Sequence, residues 1–133
     1  MNTNTVTGCH TLEIIPLTSL SRFAIIGSRA VILTLGDPDK AKEVPGSVKV
    51  STSTDNGVIK KKISFNRRGV SAIETDRLNG YKSTRVIATY IDENGNRRVA
   101  GSPNYPLTLN FTIDGGAYSC VLEGEDTRPD AFL

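Results

Sequence analysis

The sequence is poor in the residues that build catalytic and metal centres. It has a single histidine, His10, and two cysteines, Cys9 and Cys120, in 133 residues. A structural zinc ion takes four ligands, and Cys9 with His10 would supply only two. A nucleophilic serine or cysteine needs a nearby base, and one isolated histidine offers no such arrangement. We therefore expect no bound metal, no cofactor and no enzymatic activity.

Long apolar runs are also missing. The longest stretches, around Phe23–Ile26 and Ala30–Leu35, are far too short to cross a bilayer. The first ten residues lack the basic and apolar parts of a signal peptide. These features predict a protein that stays inside the cell that makes it and does not act at a membrane. Such a setting favours free thiols over a disulfide between Cys9 and Cys120.

What the sequence does contain is the rhythm of a β protein. Short runs of Val, Ile, Thr, Tyr and Phe recur between Gly, Pro, Asn and Asp residues. We predict one mainly β domain over residues 1–133, an antiparallel β-sandwich or small barrel with C-terminal hairpins and flexible termini at 1–8 and 125–133. The predicted strands are Thr11–Ile15, Arg22–Ile26, Ala30–Leu35, Ser47–Thr54, Val58–Phe65, Thr84–Ile91, Arg97–Ala100, Pro106–Ile113 and Ala117–Gly124.

One short helix is predicted near residues 71–79. Ser71 and Glu74 match a capping box, with Ser71 as N-cap and the Glu74 side chain reaching back to the Ser71 amide. Gly80 would end the helix in the left-handed conformation. The apolar stripe of this helix would consist of Val70, Ile73 and Leu78.

The position of the turn in the last hairpin predicts which of its side chains face the core. A two-residue turn at Asp114-Gly115 pairs Phe111 with Tyr118. A turn at Gly115-Gly116 keeps the same faces, because the register then moves by two residues. In both cases the side chains that face the core are Leu107, Leu109, Phe111, Tyr118, Cys120 and Leu122.

The segment ATYIDENGNRRVAGSPNYPLTLNF is dense in Asp, Asn, Gly and Arg and could suggest a ligand loop. A calcium loop that begins at Asp92 fails, because its sixth position is Arg97 and its twelfth is Pro103. No glycine-rich phosphate fingerprint is present either. We interpret the segment as a central strand followed by a hairpin that turns at Asn94-Gly95, with Asp92 facing Arg97.

Charge is distributed unevenly along the chain. Residues 49–85 hold nine basic and three acidic side chains, or +6, whereas residues 86–133 hold three and seven, or −4. Opposite charges on one small domain suit attraction to a polyanion or head-to-tail contact between copies. The alternative is that these charges have no partner: Lys60 and Lys62 would lie on the solvent-exposed face of the strand Val58–Phe65, and Lys61 would lie at a sheet edge. The basic residues of the candidate interaction surface are Lys60, Lys61, Lys62, Arg67 and Arg68.

The C-terminal segment GEDTRPDAFL is acidic but ends in two apolar residues, Phe132 and Leu133. We include both in the candidate interaction surface, because an apolar end on an exposed arm can dock into a neighbouring molecule. The alternative is that the segment packs against its own domain.

Residues Tyr81–Leu133, with the sequences ATYIDENGNRRVAGSPNYPLTLNF and DGGAYSCVLEGEDTRP, resemble small β-rich virion proteins of tailed bacteriophages and prophages, especially those of Bacteroidetes hosts. The resemblance implies a non-enzymatic structural subunit of a tail, neck or connector. Its partners would be copies of itself and other virion proteins, in the virion and, during assembly, in the host cytoplasm. The family supplies no catalytic or ligand residues.

The expected function is therefore assembly into a phage particle, with the basic region meeting the acidic C-terminal part of a neighbour. The alternative is a β-sandwich module that binds a polyanion or a glycan with one sheet face. Nucleic acid is the less favoured polyanion, because none of the eight aromatic residues is interleaved with the lysines.

Overall fold

Two β-sheets pack face to face with one helix beside them, which confirms the mainly β fold and the sandwich. The computed structural model describes residues 2–133, with side chains from residue 4 onward. The elements are β1 (Asn2–Thr7), β2 (His10–Pro16), a 3-10 turn (Leu17–Ser19), β3 (Leu20–Ile26), β4 (Arg29–Thr34), β5 (Asp39–Lys40), β6 (Lys49–Asp55), β7 (Val58–Arg68), α1 (Ala72–Ser83), β8 (Val86–Ile91), β9 (Arg97–Ala100), β10 (Thr108–Asp114), β11 (Ala117–Asp126) and β12 (Ala131–Phe132).

The five-stranded sheet has the order β1-β6-β7-β11-β10, and the seven-stranded sheet has the order β3-β4-β12-β9-β8-β2-β5. Neighbouring strands are antiparallel except β12 and β4, which are parallel. Over residues 2–133 neither sheet closes on itself, so the small barrel is not the architecture. No helix in the described part of the chain is long and apolar enough to cross a membrane.

The main core lies between the two sheets. Strand β8 is an interior strand of the seven-stranded sheet, between β9 and β2, and has apolar residues on both faces, as predicted for a central strand. Val86, Ala88 and Tyr90 point into the main core, whereas Ile87 belongs to a second cluster on the opposite face. The buried members of that second cluster are Ile15, Ala30, Ile87, Val99 and Ala131.

All nine predicted strands are present, with ends that differ by at most three residues. Three more strands, β1, β5 and β12, escaped prediction because they are short or polar and gain their hydrogen bonds from distant segments. Residues 2–7 pair with β6, and residues 131–132 pair with β4 and β9. Residues 2–7, 125–126 and 131–132, which belong to the two segments that we expected to be flexible, thus lie in strands, and Met1 lies outside the described residues.

The helix begins as predicted but differs in its other features. The Ser71 side chain accepts a hydrogen bond from the Glu74 amide at 3.2 Å, which confirms the N-cap. The return half of the capping box is wrong, because the Glu74 carboxylate binds Arg67 instead. The Ser71 amide donates to the Tyr118 hydroxyl at 3.2 Å. A buried arginine needs a counter-charge, and this need overrides the local cap.

Of the predicted apolar stripe of α1, Leu78 is buried as predicted, but Val70 and Ile73 are not. Ile73 is 75% exposed and Val70 is exposed, so the helix meets the core through Leu78 and Tyr81. Gly80 lies within the helix, which continues to Ser83.

The hairpin between β8 and β9 is shifted by one residue from the predicted register. Ile91 lies opposite Arg97, and the Asp92 amide donates to the Asn96 carbonyl at 2.9 Å. The Asp92 carboxylate accepts hydrogen bonds from the amides of Asn94 at 3.0 Å and Asn96 at 2.9 Å. These bonds stabilise a three-residue loop, so the two-residue turn at Asn94-Gly95 and the pairing of Asp92 with Arg97 are wrong.

The last hairpin follows the second of the two predicted registers. Asp114 pairs with Ala117, which puts Gly115 and Gly116 in the turn. The predicted faces are confirmed, with Leu109 and Leu122 opposite each other in the core.

Candidate functional site

Strand β7 divides the predicted basic surface between two faces. Side chains alternate along a strand, so Lys60 and Lys62 point to solvent while Lys61 points into the sandwich. Lys61 is 4% exposed, in the middle strand of the five-stranded sheet. Its predicted position at a sheet edge is therefore wrong.

Two carboxylates from the C-terminal part of the chain neutralise Lys61. Its Nζ lies 2.8 Å from Asp130 Oδ1 and 3.6 Å from Asp126 Oδ2, and both acids are buried. The Tyr90 hydroxyl donates to the other oxygen of Asp130. Asp126 also accepts the amides of the next two residues and so shapes the turn that leads to Asp130. This polar cluster ties the C-terminal segment to the inside of the domain.

Arg98 extends the polar cluster toward the loop between β8 and β9. Its Nη2 lies 2.5 Å from the Asp130 carbonyl oxygen and its Nη1 lies 3.4 Å from Asp92 Oδ2. The guanidinium stacks 4.1 Å from the centre of the Phe132 ring, a cation–π contact. A cavity of about 370 Å³ opens beside these groups, and Cys9 and Tyr90 are among the residues that line it.

The protonation of the polar cluster follows from its surroundings. Burial, together with the Asp130 carboxylate, raises the pKa of the Tyr90 hydroxyl, so it remains a hydrogen-bond donor. Burial also raises the pKa of the Cys9 thiol, with Glu93 and Asp92 adding to the effect. Burial by itself raises the pKa of Asp92, but hydrogen bonds from the loop amides and Arg98 outweigh it, and the net pKa is lowered.

On the solvent side of the five-stranded sheet, acidic residues stand beside the lysines. Lys60 lies opposite Glu125 and Lys62 lies opposite Glu123 in the register between β7 and β11. The face forms an open depression of about 540 Å³, to which Ser51, Ser53 and Thr108 also contribute. Local charge is balanced there. The acidic and basic residues that we expected to meet across two molecules are neighbours within one sheet.

The two arginines of the predicted surface also separate. Arg67 is buried and forms an ion pair with Glu74 of α1, whereas Arg68 is exposed at the end of β7. The five basic residues therefore do not form a single surface.

The structure packs the C-terminal segment against its own domain, as in the alternative interpretation. Phe132 pairs with Arg98 of β9 and Arg29 of β4, and the Leu133 amide donates to the Arg97 carbonyl at 3.0 Å. Leu133 packs against the second apolar cluster.

Our sequence reasoning missed an exposed apolar patch on the hairpin of β3 and β4. Ile26, Val31 and Leu33 are 73%, 47% and 52% exposed, and Leu35 just beyond β4 is also exposed. We call these four residues the hairpin patch. The other face of the hairpin packs against the second cluster through Phe23, Ile25, Ala30 and Ile32. The sequence feature that could have revealed this patch is the run AIIGSRAVILTL. It has apolar residues at both odd and even positions, so each strand carries apolar side chains on both of its faces.

Within residues 2–133, no three His, Cys, Asp or Glu side chains are grouped to hold a metal ion. Comparison with protein-family models, with curated proteins and with solved structures finds no match to this chain. The class that the fold defines is a β-sandwich with one helix.

Proposed function

We propose that this chain is a non-enzymatic structural subunit of a phage particle, a component of a tail, neck or connector. It would act in the virion by contact with copies of itself and with other virion proteins. The observation that carries the proposal is the hairpin patch, because contiguous exposed apolar residues on a folded domain mark interaction surfaces. The resemblance of residues 81–133 to virion proteins is the reason for proposing that the assembly is a phage particle.

The charges inside the domain support a structural role. Lys61, Arg67 and Arg98 are each held by carboxylates of the same chain. The side chains of Lys61 and Arg67 are buried in these pairs, and buried polar networks favour one conformation of the domain. With these groups occupied, contact with a neighbour would use the hairpin of β3 and β4, which carries the hairpin patch, rather than a basic surface that meets an acidic tail.

Two measurements test this proposal. Mass spectrometry of particles released from the strain that encodes this chain should detect it at a constant ratio to the major virion proteins. Size-exclusion chromatography with light scattering should give a mass above that of one chain at high concentration. The double variant Val31→Ser, Leu33→Ser should reduce that mass, whereas Ser119→Ala, an exposed change on the other sheet, should not. Absence from the particles would overturn the proposal.

A second candidate function is glycan binding on the solvent face of the five-stranded sheet. The open depression there offers hydroxyl, ammonium and carboxylate groups in balanced number, which suits a neutral polyhydroxyl ligand better than a polyanion. The variant Lys60→Glu, Lys62→Glu, with the buried Lys61 unchanged, should abolish binding on a glycan array. A salt-dependent shift of nucleic acid in a gel, lost in the same variant, would favour the polyanion instead.

A further inference from the structure

Each sheet leaves two edge strands whose outer side is unpaired within residues 2–133. The edges are β3 and β5 in the seven-stranded sheet and β1 and β10 in the five-stranded sheet. Strand β5 has only two residues, both charged, and β1 consists of Asn and Thr with one valine. Short length and polar or charged side chains are the usual protection of an edge. Strands β3 and β10 are longer, with seven residues each. The helix α1 packs beside β10, with Lys82 Nζ 5.4 Å from the centre of the Phe111 ring, while residues 112–114 stay exposed.

The two long edges are complementary in sequence. Over Arg22–Ile26, β3 reads RFAII, and over Asn110–Asp114, β10 reads NFTID. Aligned antiparallel, Arg22 lies opposite Asp114, and both are exposed and outside the ion pairs made by the described residues. The remaining cross-strand pairs are Phe23 with Ile113, Ala24 with Thr112, Ile25 with Phe111, and Ile26 with Asn110.

The faces match as well as the charges. Phe23 and Ile25 belong to the half-buried side of β3, next to the second cluster. Phe111 and Ile113 belong to the core side of β10, where Ile113 is still half exposed. The antiparallel register therefore joins apolar side chains on one face, as cross-strand pairing favours. The other face carries Arg22 with Asp114, Ala24 with Thr112, and the exposed Ile26 of the hairpin patch beside Asn110.

We propose that β3 of one copy pairs antiparallel with β10 of the next copy, with Arg22 opposite Asp114. This inference rests on the proposed function, because it specifies how copies of the subunit join. The contact uses two different surfaces of the same chain. Repeated contacts of this kind close into a ring or continue as a filament, depending on the rotation between neighbours.

Symmetric pairings are less complementary. Two β3 strands centred on Ala24 would place Arg22 opposite Ile26 of the other copy. Two β10 strands centred on Thr112 would place Asp114 opposite Asn110. Neither arrangement neutralises a charge, whereas the pairing of β3 with β10 brings opposite charges together, which fixes register and selects partners.

Charge reversal tests the pairing in the full-length protein. Arg22→Asp or Asp114→Arg alone should weaken self-association about tenfold, because like charges then face each other. The double variant should associate like the wild type. Asp55→Arg, which changes the net charge by the same amount as Asp114→Arg at the exposed end of β6, is the matched control and should have no effect. Both altered positions are exposed, and thermal unfolding will check that each variant is folded.

Cysteine cross-linking tests the register. Ala24→Cys and Thr112→Cys lie opposite each other in the proposed pairing, so an oxidised mixture of the two variants should give a disulfide-linked heterodimer. Asn110→Cys, two positions along the same face of β10, should cross-link to Ala24→Cys much less.

The outcomes separate this inference from the proposed function. Cross-linking of Ala24→Cys to itself would indicate a symmetric β3 contact and overturn the pairing. If the wild-type protein self-associates and every charge variant self-associates to the same extent, the pairing of β3 with β10 is also overturned, and the proposed function stands. Absence of the chain from purified particles would overturn the proposed function, while the cross-links would still decide the pairing.

Discussion

Lys61 is a charged side chain on the inner face of a sheet, next to an apolar core. Taking an ammonium group out of water is costly unless carboxylates and hydrogen bonds replace the lost hydration. Asp130 and Asp126 supply the two carboxylates, and the Tyr90 hydroxyl donates a hydrogen bond to Asp130. The lysine is therefore part of the fold and is not available to a partner.

We expect Lys61→Met to lower the free energy of unfolding by roughly 3–5 kcal/mol, because it leaves two buried carboxylates without a cation. Urea denaturation followed by circular dichroism measures the loss. Lys60→Met and Lys62→Met flank the site, point to solvent, and should change the value by no more than about 0.5 kcal/mol. Equal effects at all three positions would contradict the inward orientation of Lys61.

Asp92 should make stability depend on acidity. Its lowered pKa means that the charged form stabilises the fold above about pH 4, the pKa of an aspartate in an unfolded chain. That contribution is lost as pH falls through the lower pKa of the folded state. Asp92→Asn keeps an acceptor oxygen but removes the charge. We expect it to melt below the wild type at pH 7, with a difference that shrinks toward pH 3. A constant difference across this range would contradict the prediction.

Cys120 should be unreactive in the folded protein. Burial raises the pKa of its thiol to about 11, although Arg67 acts in the opposite direction. Only the thiolate attacks alkylating reagents. In the variant Cys9→Ala we expect iodoacetamide at pH 8 to label Cys120 only after urea is added, as mass spectrometry would show. Rapid labelling without urea would show that the thiol is accessible.

At the scale of elements, one close approach constrains β11. Gly124 lies beneath the segment Pro106–Leu107, and a Cβ atom there would stand 2.7 Å from Leu107 Cδ2 and 2.9 Å from the Pro106 carbonyl oxygen. The Pro106 carbonyl oxygen cannot move without shifting the backbone that leads into β10. Glycine is therefore required at this position for lack of space.

We expect Gly124→Ala to lower the free energy of unfolding by about 1–3 kcal/mol through this overpacking. Gly116→Ala is the matched control, since a Cβ atom there meets nothing within 4 Å. Both variants are compared by chemical denaturation. A stability loss at Gly116 as large as that at Gly124 would point to backbone entropy rather than to the contact.

The sequence predicted the elements whose signal is local. The alternation of apolar residues identified nine strands, and the N-cap at Ser71 identified the start of α1. The loop at Asp92–Asn96 was not predictable from the Asn94-Gly95 signal, because the Asp92 carboxylate selects a longer turn. The inward orientation of Lys61 could have been predicted, because residues two apart in a strand share a face and Lys61 shares one with the core residues Ile63 and Phe65. Its partners could not, because they are set by the distant C-terminal segment.

At the scale of the whole molecule, the C-terminal segment is an integral part of the sandwich. It brings Asp130 to Lys61 and places β12 between β4 and β9. The basic and acidic parts of the chain, which differ so much along the sequence, thereby come together in one domain.

We therefore expect a chain shortened after Thr127 to melt well below the full-length protein, because it loses Asp130 and β12. Removal of Phe132 and Leu133 alone should have a smaller effect, since Asp130 remains. Thermal unfolding by circular dichroism compares the three proteins. An unchanged melting temperature in the shorter chain would show that the segment is a free arm after all.

The two residues of β12 also have a consequence for motion. In the described part of the chain, β12 is the strand that connects the hairpin of β3 and β4 to the rest of the seven-stranded sheet. A junction this short has few hydrogen bonds to lose, so the hairpin can open as a unit at a free-energy cost below that of global unfolding. Its amide protons should exchange with solvent faster than those of β8. The hairpin that offers the exposed patch and the β3 edge should therefore be the part of this sheet that changes its angle most easily.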